Sequence, residues 1–499
     1  MTSAVTLWRT VGAVRSRSCH ARNHFDTFFC VSWGTVLVSV REYIAHLPID
    51  KRERLAGFVR AVPAPIRYGP VFRNTRREII KAHSVPSWGR MEQERRLGDL
   101  LRLAAGTKYY STAAGYSTLQ ALDQNPREIL GKLPILTREE LSAHTKDMLT
   151  VATEQVEVVS SSGTSGEPIV FHLDKARGAG EWAYVQHIWN TRAGYELDDW
   201  RVFLRGAADV PNDVDYYVQS LTGEIILRTR ALSPDKVQEH WDLIKQYGIH
   251  FIHGYPSAME YLAKLIEKHL PGDKWRLQIK GLLTVSEEFT RVQAEVLARV
   301  FPNARVANFY GLSERTVFAG MDSDWVFHPE PLYGVTEILN QDGSPTGPGE
   351  RGRIVTTGLR LTGQPFLRYD TGDSAEVVGT DPWGCPTFKD IKARRGREGL
   401  VRDDGSLLPT TSLTLHSSQF AAVARFRFRQ DEPGRAALVV EPSSGVDVTE
   451  LNEFLEAMQR RSGNGVVLNL EIVERLEVPQ NGKNRLIDQN IPGVTGTWA

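Results

Sequence analysis

Gly248-Ile249-His250-Phe251-Ile252-His253-Gly254-Tyr255-Pro256 sets a short apolar run between two glycines and ends on a proline. Ile249 to Ile252 reads as a short strand of the kind buried on both faces. Pro256 opens a helix that carries Met259, Leu262 and Leu265 on one side, because a proline at the first helical position costs no hydrogen bond. Downstream, Ile279 to Val285 reads as a strand, Thr290 to Phe301 as a helix and Arg305 to Phe309 as a strand. Upstream, Ser233-Pro234 starts a helix that runs to about Tyr247 and stops at Gly248. Strands alternating with helices predict an α/β fold with a mostly parallel sheet covered by helices. Ligands on such sheets sit beyond the carboxyl ends of the strands.

Working outward, residues from about Val85 to His144 read as helical and charged. Glu92 to Leu103 presents Leu97, Leu100, Leu101 and Leu103 as its apolar side. Thr137 with Glu140 three residues on makes a capping box that opens a short helix. Val156 to Val159 and Pro168 to Leu173 read as two strands with a polar loop between them. Beyond about Arg397 the rhythm changes. Phe426 and Phe428 alternate with arginines, Asp431-Glu432-Pro433-Gly434 is a turn, and Ala437 to Val440 is a strand. Asp447 to Arg461 reads as a helix with Val448, Leu451, Leu455 and Met458 on one side, ended by Gly463. Val466 to Val473 is the last strand expected. This second unit is small and α+β, about 100 residues, hung on a linker near Gly396.

The chain has 499 residues, too many for one ordinary core. Sixty basic and 60 acidic side chains give a net charge of zero, so no long-range field favours nucleic acid or an acidic membrane surface. Cys19, Cys30 and Cys385 are sparse and unpatterned, which fits a reducing cytoplasm and gives no zinc signature. Met1 to Val40 holds four arginines, Arg9, Arg15, Arg17 and Arg22, against one acid, Asp26. Its most apolar part falls short of the ~20 residues a spanning helix needs. A targeting segment would share this composition, and a poorly ordered extension or an over-long start is the favoured expectation.

Five short stretches carry the chemistry. Ser160-Ser161-Ser162-Gly163-Thr164-Ser165-Gly166 has the composition that lets backbone N–H groups and hydroxyls approach phosphate oxygens. No Lys-Ser or Lys-Thr follows it, so it is not a Walker loop and a P-loop kinase is disfavoured. A plain surface turn explains the same composition. Phe309-Tyr310-Gly311-Leu312-Ser313-Glu314 closes a strand, where a ring can stack on a purine and a carboxylate can hold Mg²⁺. It also reads as an ordinary strand end. In Arg368-Tyr369-Asp370-Thr371-Gly372-Asp373 a carboxylate after a glycine turn can accept both hydroxyls of a ribose, although the stretch is equally good turn chemistry. Gly396-Arg397 marks the unit boundary, and Asn481-Gly482-Lys483 lies in a polar loop near the C-terminus.

In this order the five stretches resemble the adenylate-forming superfamily of acyl-CoA synthetases, luciferases and peptide-synthetase adenylation domains. The nearest likeness is to the phenylacetate–CoA ligase branch and its capsule-biosynthesis relatives. Leu133-Pro134-Ile135-Leu136-Thr137, His253-Gly254-Tyr255-Pro256-Ser257 and Cys385-Pro386 support it, and it covers about Val85 to Leu486. The resemblance implies an N-terminal extension over 1–45, a large multi-sheet adenylation domain over 46–396 and a small mobile lid domain over 397–499. It implies that Ser161, Ser162, Gly163, Thr164, Ser165 and Gly166 grip the β- and γ-phosphates of ATP. Tyr310 and Gly311 would flank the adenine, Glu314 would ligate Mg²⁺, and Asp373, assisted by Arg397, would hold the ribose. Lys483 would bridge the reacting carboxylate and the α-phosphate. Tyr255 and Ser286 are candidates for the acid pocket, and both read equally well as structural.

Two positions depart from the pattern. Glu167 stands where many relatives have lysine, and Arg397 is followed by Glu398 where an aspartate is usual. The resemblance further implies a carboxylic acid substrate, aryl or arylacetic, and coenzyme A as the acceptor; a dimer is common in that branch. Two other readings stay open. One is an adenylyltransferase, or a transferase to an amine or a carrier-protein thiol, separated by product analysis with and without coenzyme A. The other is a non-catalytic homologue, which failure to bind ATP would support.

Overall fold

A computed structural model describes residues 49–113, 115–116, 125–160, 169–175, 177–205, 214–392, 399–409, 413, 422–442, 446–474, 476 and 487–491. The chain divides into two units, 1–38 and 39–499, and every described residue lies in the second. The extension expected over 1–45 lies outside the described residues.

Val156–Ser160 (β1) and Val170–Asp174 (β2) pair antiparallel from Val156↔Asp174 to Ser160↔Val170. Ahead of them Thr137 and Glu140 form the expected capping box. The long helix Pro86–Ala105 buries Leu97, Leu100 and Leu101, whereas Leu103 faces solvent.

Arg201–Arg205 (β3), Tyr216–Gln219 (β4), Glu224–Arg228 (β5), Phe251–Gly254 (β6), Gly281–Thr284 (β7) and Arg305–Ala307 (β8) form a six-stranded sheet in the order β4-β5-β3-β6-β7-β8. All neighbours are parallel except β4 with β5. The covering helices are those the alternation predicts. Pro256–His269 starts on its proline, and Arg291–Val300 starts on a Thr290–Gln293 capping box. Trp241, Met259, Leu262, Leu297 and Phe301 from the helices close over Val202, Ile252 and Leu282 from the strands. Parallel strands buried on both faces need such apolar runs. One boundary differs: the helix expected from Ser233-Pro234 spans Val237–Gln246, because Ser233 to Lys236 form a separate turn closed by the Lys236 N–H on the Ser233 carbonyl at 3.2 Å.

A second, seven-stranded antiparallel sheet is absent from the sequence reading. It comprises Phe309–Gly311 (β9), Phe318–Met321 (β10), Phe327–Pro329 (β11), Gly334–Leu339 (β12), Arg351–Gly358 (β13), Tyr369–Thr380 (β14) and Pro386–Lys392 (β15), ordered β12-β13-β14-β15-β11-β10-β9. The strand expected over Arg305 to Phe309 is in fact two strands in two sheets, broken at the buried Asn308.

Towards the C-terminus, Gly399–Val401 (β16) and Leu407–Pro409 (β17) make a hairpin. Val423–Glu432 (β18), Arg435–Pro442 (β19), Val467–Ile472 (β20) and Ile487–Gln489 (β21) form a mixed sheet in the order β20-β19-β18-β21. The helix Val448–Ser462 starts on an Asp447–Glu450 capping box and ends at Gly463, whose φ is +70°. Its buried side is Leu451, Phe454, Ala457 and Met458; Val448, expected inside, is 62% exposed. These residues pack with Phe426, Phe428, Leu438 and Val440 into a core of their own. β21 lies beyond the last strand expected and joins β18 in parallel. Among the described residues no helix is long and apolar enough to cross a membrane.

Candidate active site

The carboxyl ends of the parallel strands carry the first candidates. β6 ends at Gly254, whose φ of +151° and position against Leu204 exclude any side chain: a Cβ there would lie 2.4 Å from the Leu204 carbonyl oxygen. Tyr255 follows at once. From the neighbouring strand the Val285 N–H donates to the Gly254 carbonyl at 3.1 Å, which brings Ser286 to the same edge. Ser286 is exposed and holds a left-handed φ of +67°. Burial pushes the Tyr255 hydroxyl up from its ordinary value, with Glu287 acting in the same sense and Arg205 and Arg461 against it. The pocket candidates thus share one edge of the sheet.

The break at Asn308 delivers Tyr310 to the junction of the two large sheets. Its hydroxyl donates to Asp373 Oδ2 at 2.7 Å. Asp373 reaches it because β14 bulges against β13. Arg353 pairs with Ser374 and Val355 with Asp370, so Thr371 to Asp373 are left over. The Gly372 N–H donates to Asp370 Oδ1 at 2.9 Å and the Asp373 N–H to Thr371 Oγ1 at 3.0 Å, which fixes the bulge. Burial and then the Asp373 charge push the Tyr310 hydroxyl well above its usual range. Gly311 ends β9, pairs with Phe318 and is exposed.

Glu314 is buried, and its Oε1 accepts from the Tyr369 hydroxyl at 2.9 Å. The second and third stretches are therefore joined twice, by Tyr310–Asp373 and by Glu314–Tyr369. The Leu133 to Thr137 stretch belongs to the same scaffold. The Leu136 N–H donates to the Arg368 carbonyl at 2.9 Å, and the Asp370 N–H donates to the Leu136 carbonyl at 3.0 Å. The Arg368 guanidinium donates to the carbonyls of Gly131 at 3.0 Å and Leu133 at 2.7 Å and pairs with Glu337.

Arg315, next to Glu314 in sequence, lines a cleft of about 150 Å³ together with Asp174, Arg177, Glu181, Arg360 and Leu361. Arg315 pairs with Glu181 at 2.9 Å, and the Tyr333 hydroxyl donates to the same carboxylate at 2.8 Å. Three guanidinium groups line the cleft with two carboxylates, and Arg177 is paired with a third, Glu157, at 2.7 Å. None of these residues was singled out from the sequence. Arg315 adjoins Glu314, but Arg177, Glu181 and Arg360 come from segments without a motif.

Ser161 to Gly166, Glu167, Arg397 and Lys483 lie outside the described residues. The paired ends Ser160 and Val170 place the serine-rich stretch between two strands, as expected. Arg397 precedes β16 and Lys483 precedes β21. Arg402 and Asp404, between β16 and β17, lie close enough to Tyr261 on the helix Pro256–His269 for their charges to act on its hydroxyl. The C-terminal sheet thus reaches towards the edge that carries Tyr255.

The family model for AMP-binding enzymes matches residues 216–363. The protein CapK of Staphylococcus aureus is 19% identical over 372 residues, covering 72% of this chain and 80% of CapK. The phenylacetate-coenzyme A ligase of Escherichia coli strain K12 is 24% identical over 334 residues, covering 61% of this chain and 70% of the ligase. Among solved structures, 2-hydroxyisobutyryl-CoA ligase in complex with 2-HIB-AMP and CoA aligns at a TM-score of 0.51 and 16% identity, over 81% of this chain and 90% of that one.

Proposed function

The chain belongs to the adenylate-forming superfamily, in the phenylacetate–CoA ligase-like branch, and from that premise we propose that it activates a carboxylic acid as its acyl-AMP and passes the acyl group to the thiol of coenzyme A. The observation that carries this reading is the double junction of Tyr310 with Asp373 and Glu314 with Tyr369 at the carboxyl edge of the parallel sheet. An aromatic ring, a ribose-binding carboxylate and a buried carboxylate stand together where a nucleotide on such a sheet belongs. For the acid we propose an aryl or arylacetic compound, the class of the ligase relative.

In the first half-reaction a carboxylate oxygen of the acid attacks the α-phosphorus of ATP, and the bond to the β-phosphate breaks to release pyrophosphate. In the second, the sulfur of coenzyme A attacks the acyl carbonyl carbon and AMP leaves. Two anions meet in the first step, so fixed donors and positive charge lower its barrier most. Asp373 would take the ribose hydroxyls, held in place by Tyr310. Ser161 to Gly166 would supply backbone donors to the β- and γ-phosphates. The oxygen donor chemistry of Glu314 fits Mg²⁺, a hard cation that would neutralise charge on the phosphates when bound. Arg177, Arg315 and Arg360 line one cleft, and their guanidinium groups would offer donors to the departing pyrophosphate. Lys483 would bridge the acid and the α-phosphate. We propose residues 397–499 as the lid that carries it, turning about residues 396–399.

ATP–pyrophosphate exchange with a panel of carboxylic acids tests the reading. Lys483→Ala is expected to reduce exchange by ~10² or more, the scale of losing a key electrostatic group. Thioester formation from isolated acyl-AMP should suffer much less. A folded variant with unchanged exchange removes Lys483 from this role.

A further inference from the structure

His83 lies in the last turn of the helix Gly69–Ser84, His187 on the helix Arg177–Ala193, and Glu330 just after β11. Their ligand atoms all lie within 4.8 Å of one another. His83 Nε2 stands 3.2 Å from Oε1 and 3.1 Å from Oε2 of Glu330. The two imidazole rings have centroids 4.8 Å apart at an interplanar angle of 50°. Trp383 sits edge-on to His83 at 4.8 Å, and its Nε1–H donates to the Ala82 carbonyl at 2.9 Å, so the indole is a fixed wall.

An ion pair between His83 and Glu330 explains two of the three groups. It does not explain why a second imidazole, mostly buried, is brought against the first. Two protonated rings at this distance repel, and the surroundings set the two apart. Burial lowers the His187 pKa, and the charges of His83, Arg192 and Arg76 lower it further, while Glu330 opposes them. On His83 burial acts downwards, but the hydrogen bond and charge of Glu330, with Asp381, outweigh it and Arg192, and its pKa rises. Glu330 itself is 4% exposed, and a buried carboxylate calls for a cation.

We propose that His83, His187 and Glu330 form a site for a late first-row divalent cation, represented by Zn²⁺, that fastens the two helices to the strand end after β11. Two imidazole nitrogens and one carboxylate suit zinc, cobalt or nickel and not the all-oxygen preference of magnesium or calcium. Metal–nitrogen bonds of about 2.0–2.1 Å set tetrahedral donors about 3.3 Å apart, so donors within 4.8 Å of one another close by up to about 1.5 Å. The His83 side chain is 36% exposed, so the fourth position opens to water. Zinc takes imidazole nitrogens as neutral ligands, so protons compete with it and affinity should weaken at acid pH.

The test is metal content of the full-length protein, stripped with chelator, dialysed against Zn²⁺ and then against metal-free buffer. The expected result is about one zinc per chain and a higher Tm with zinc than without. His187→Gln and Glu330→Gln should each weaken zinc binding by at least ~10², beyond the ten- to hundredfold scale of losing an outer partner. Co²⁺ in the wild-type protein should give a visible absorption that both variants lose. Glu314→Gln should keep full zinc content, which separates this site from the nucleotide site. No retained zinc in the wild type, or full zinc content in both His187→Gln and Glu330→Gln, overturns the proposal.

Discussion

The Tyr310 hydroxyl and the Asp373 carboxylate meet at 2.7 Å although 63 positions of sequence separate them. It ties the edge strand β9 to the bulge of β14 and adds a side-chain contact to the backbone bonds that already hold Asp373. Tyr310→Phe keeps the ring and removes the donor. Hydrogen bonds to charged groups are worth about 1.5–3 kcal/mol, so KM for ATP should rise by about ten- to a hundredfold. Pyrophosphate exchange at varied ATP checks this, and an unchanged KM would detach Asp373 from the nucleotide.

Arg315, next to Glu314 in sequence, lines the cleft and is held by Glu181. Arg315→Ala is expected to raise KM for pyrophosphate in the exchange reaction about tenfold, the effect of one charge-assisted hydrogen bond, with a smaller effect on KM for the acid. Glu181→Ala leaves the buried Tyr333 hydroxyl without this acceptor as well. It should cost about 1–3 kcal/mol of stability, readable as a lower urea midpoint. Glu181→Gln restores an acceptor for Tyr333 and should recover part of that loss.

The parallel sheet was legible because its signal is local. Apolar runs such as Ile249 to Ile252 alternate with helices whose starts are marked by Pro256 and Thr290. The antiparallel sheet was not. Its strands are short and their partners lie far off in sequence, as Phe327 with Phe388, so no window of residues contains the pairing. The break at Asn308 carries only that one turn-favouring residue, with no glycine or proline beside it to reinforce the signal. Of the candidate site, Tyr310, Glu314 and Asp373 were singled out by their motifs, and the structure brings those motifs together. Glu181 and Arg360 were missed because their position depends on how the helix Arg177–Ala193 packs. β21 is three residues long and gains its place only from β18.

Gly254 ends β6 beside Leu204 of β3, directly before Tyr255. Gly254→Ala would force a Cβ against the Leu204 backbone and hold alanine at a φ of +151°. Backbone strain of this kind costs about 1–3 kcal/mol, and the clash adds to it. The variant should unfold several degrees earlier or fail to accumulate as soluble protein. Normal stability would mean that the β6–Tyr255 connection has more room than the structure gives it.

Alkaline stability follows from the buried phenols. Burial is the largest cause raising the pKa of Tyr110, Tyr184, Tyr310 and Tyr333. Each stays protonated in the folded chain and ionises near pH 10 once unfolded. Below that pH the two states bind the same protons at these groups, so their contribution is fully present. Above it the unfolded chain releases protons that the folded chain retains, and stability falls by about 1.4 kcal/mol per pH unit for each tyrosine. Melting temperature should therefore be nearly level from about pH 8 to 9.5 as far as tyrosines act, and drop steeply beyond pH 10. Tyr310→Phe removes one of these groups and should make the decline shallower, even though its starting stability is lower. An equal slope in wild type and variant would mean that the Tyr310 hydroxyl already ionises in the folded protein, and with it the bond to Asp373 would lose its donor.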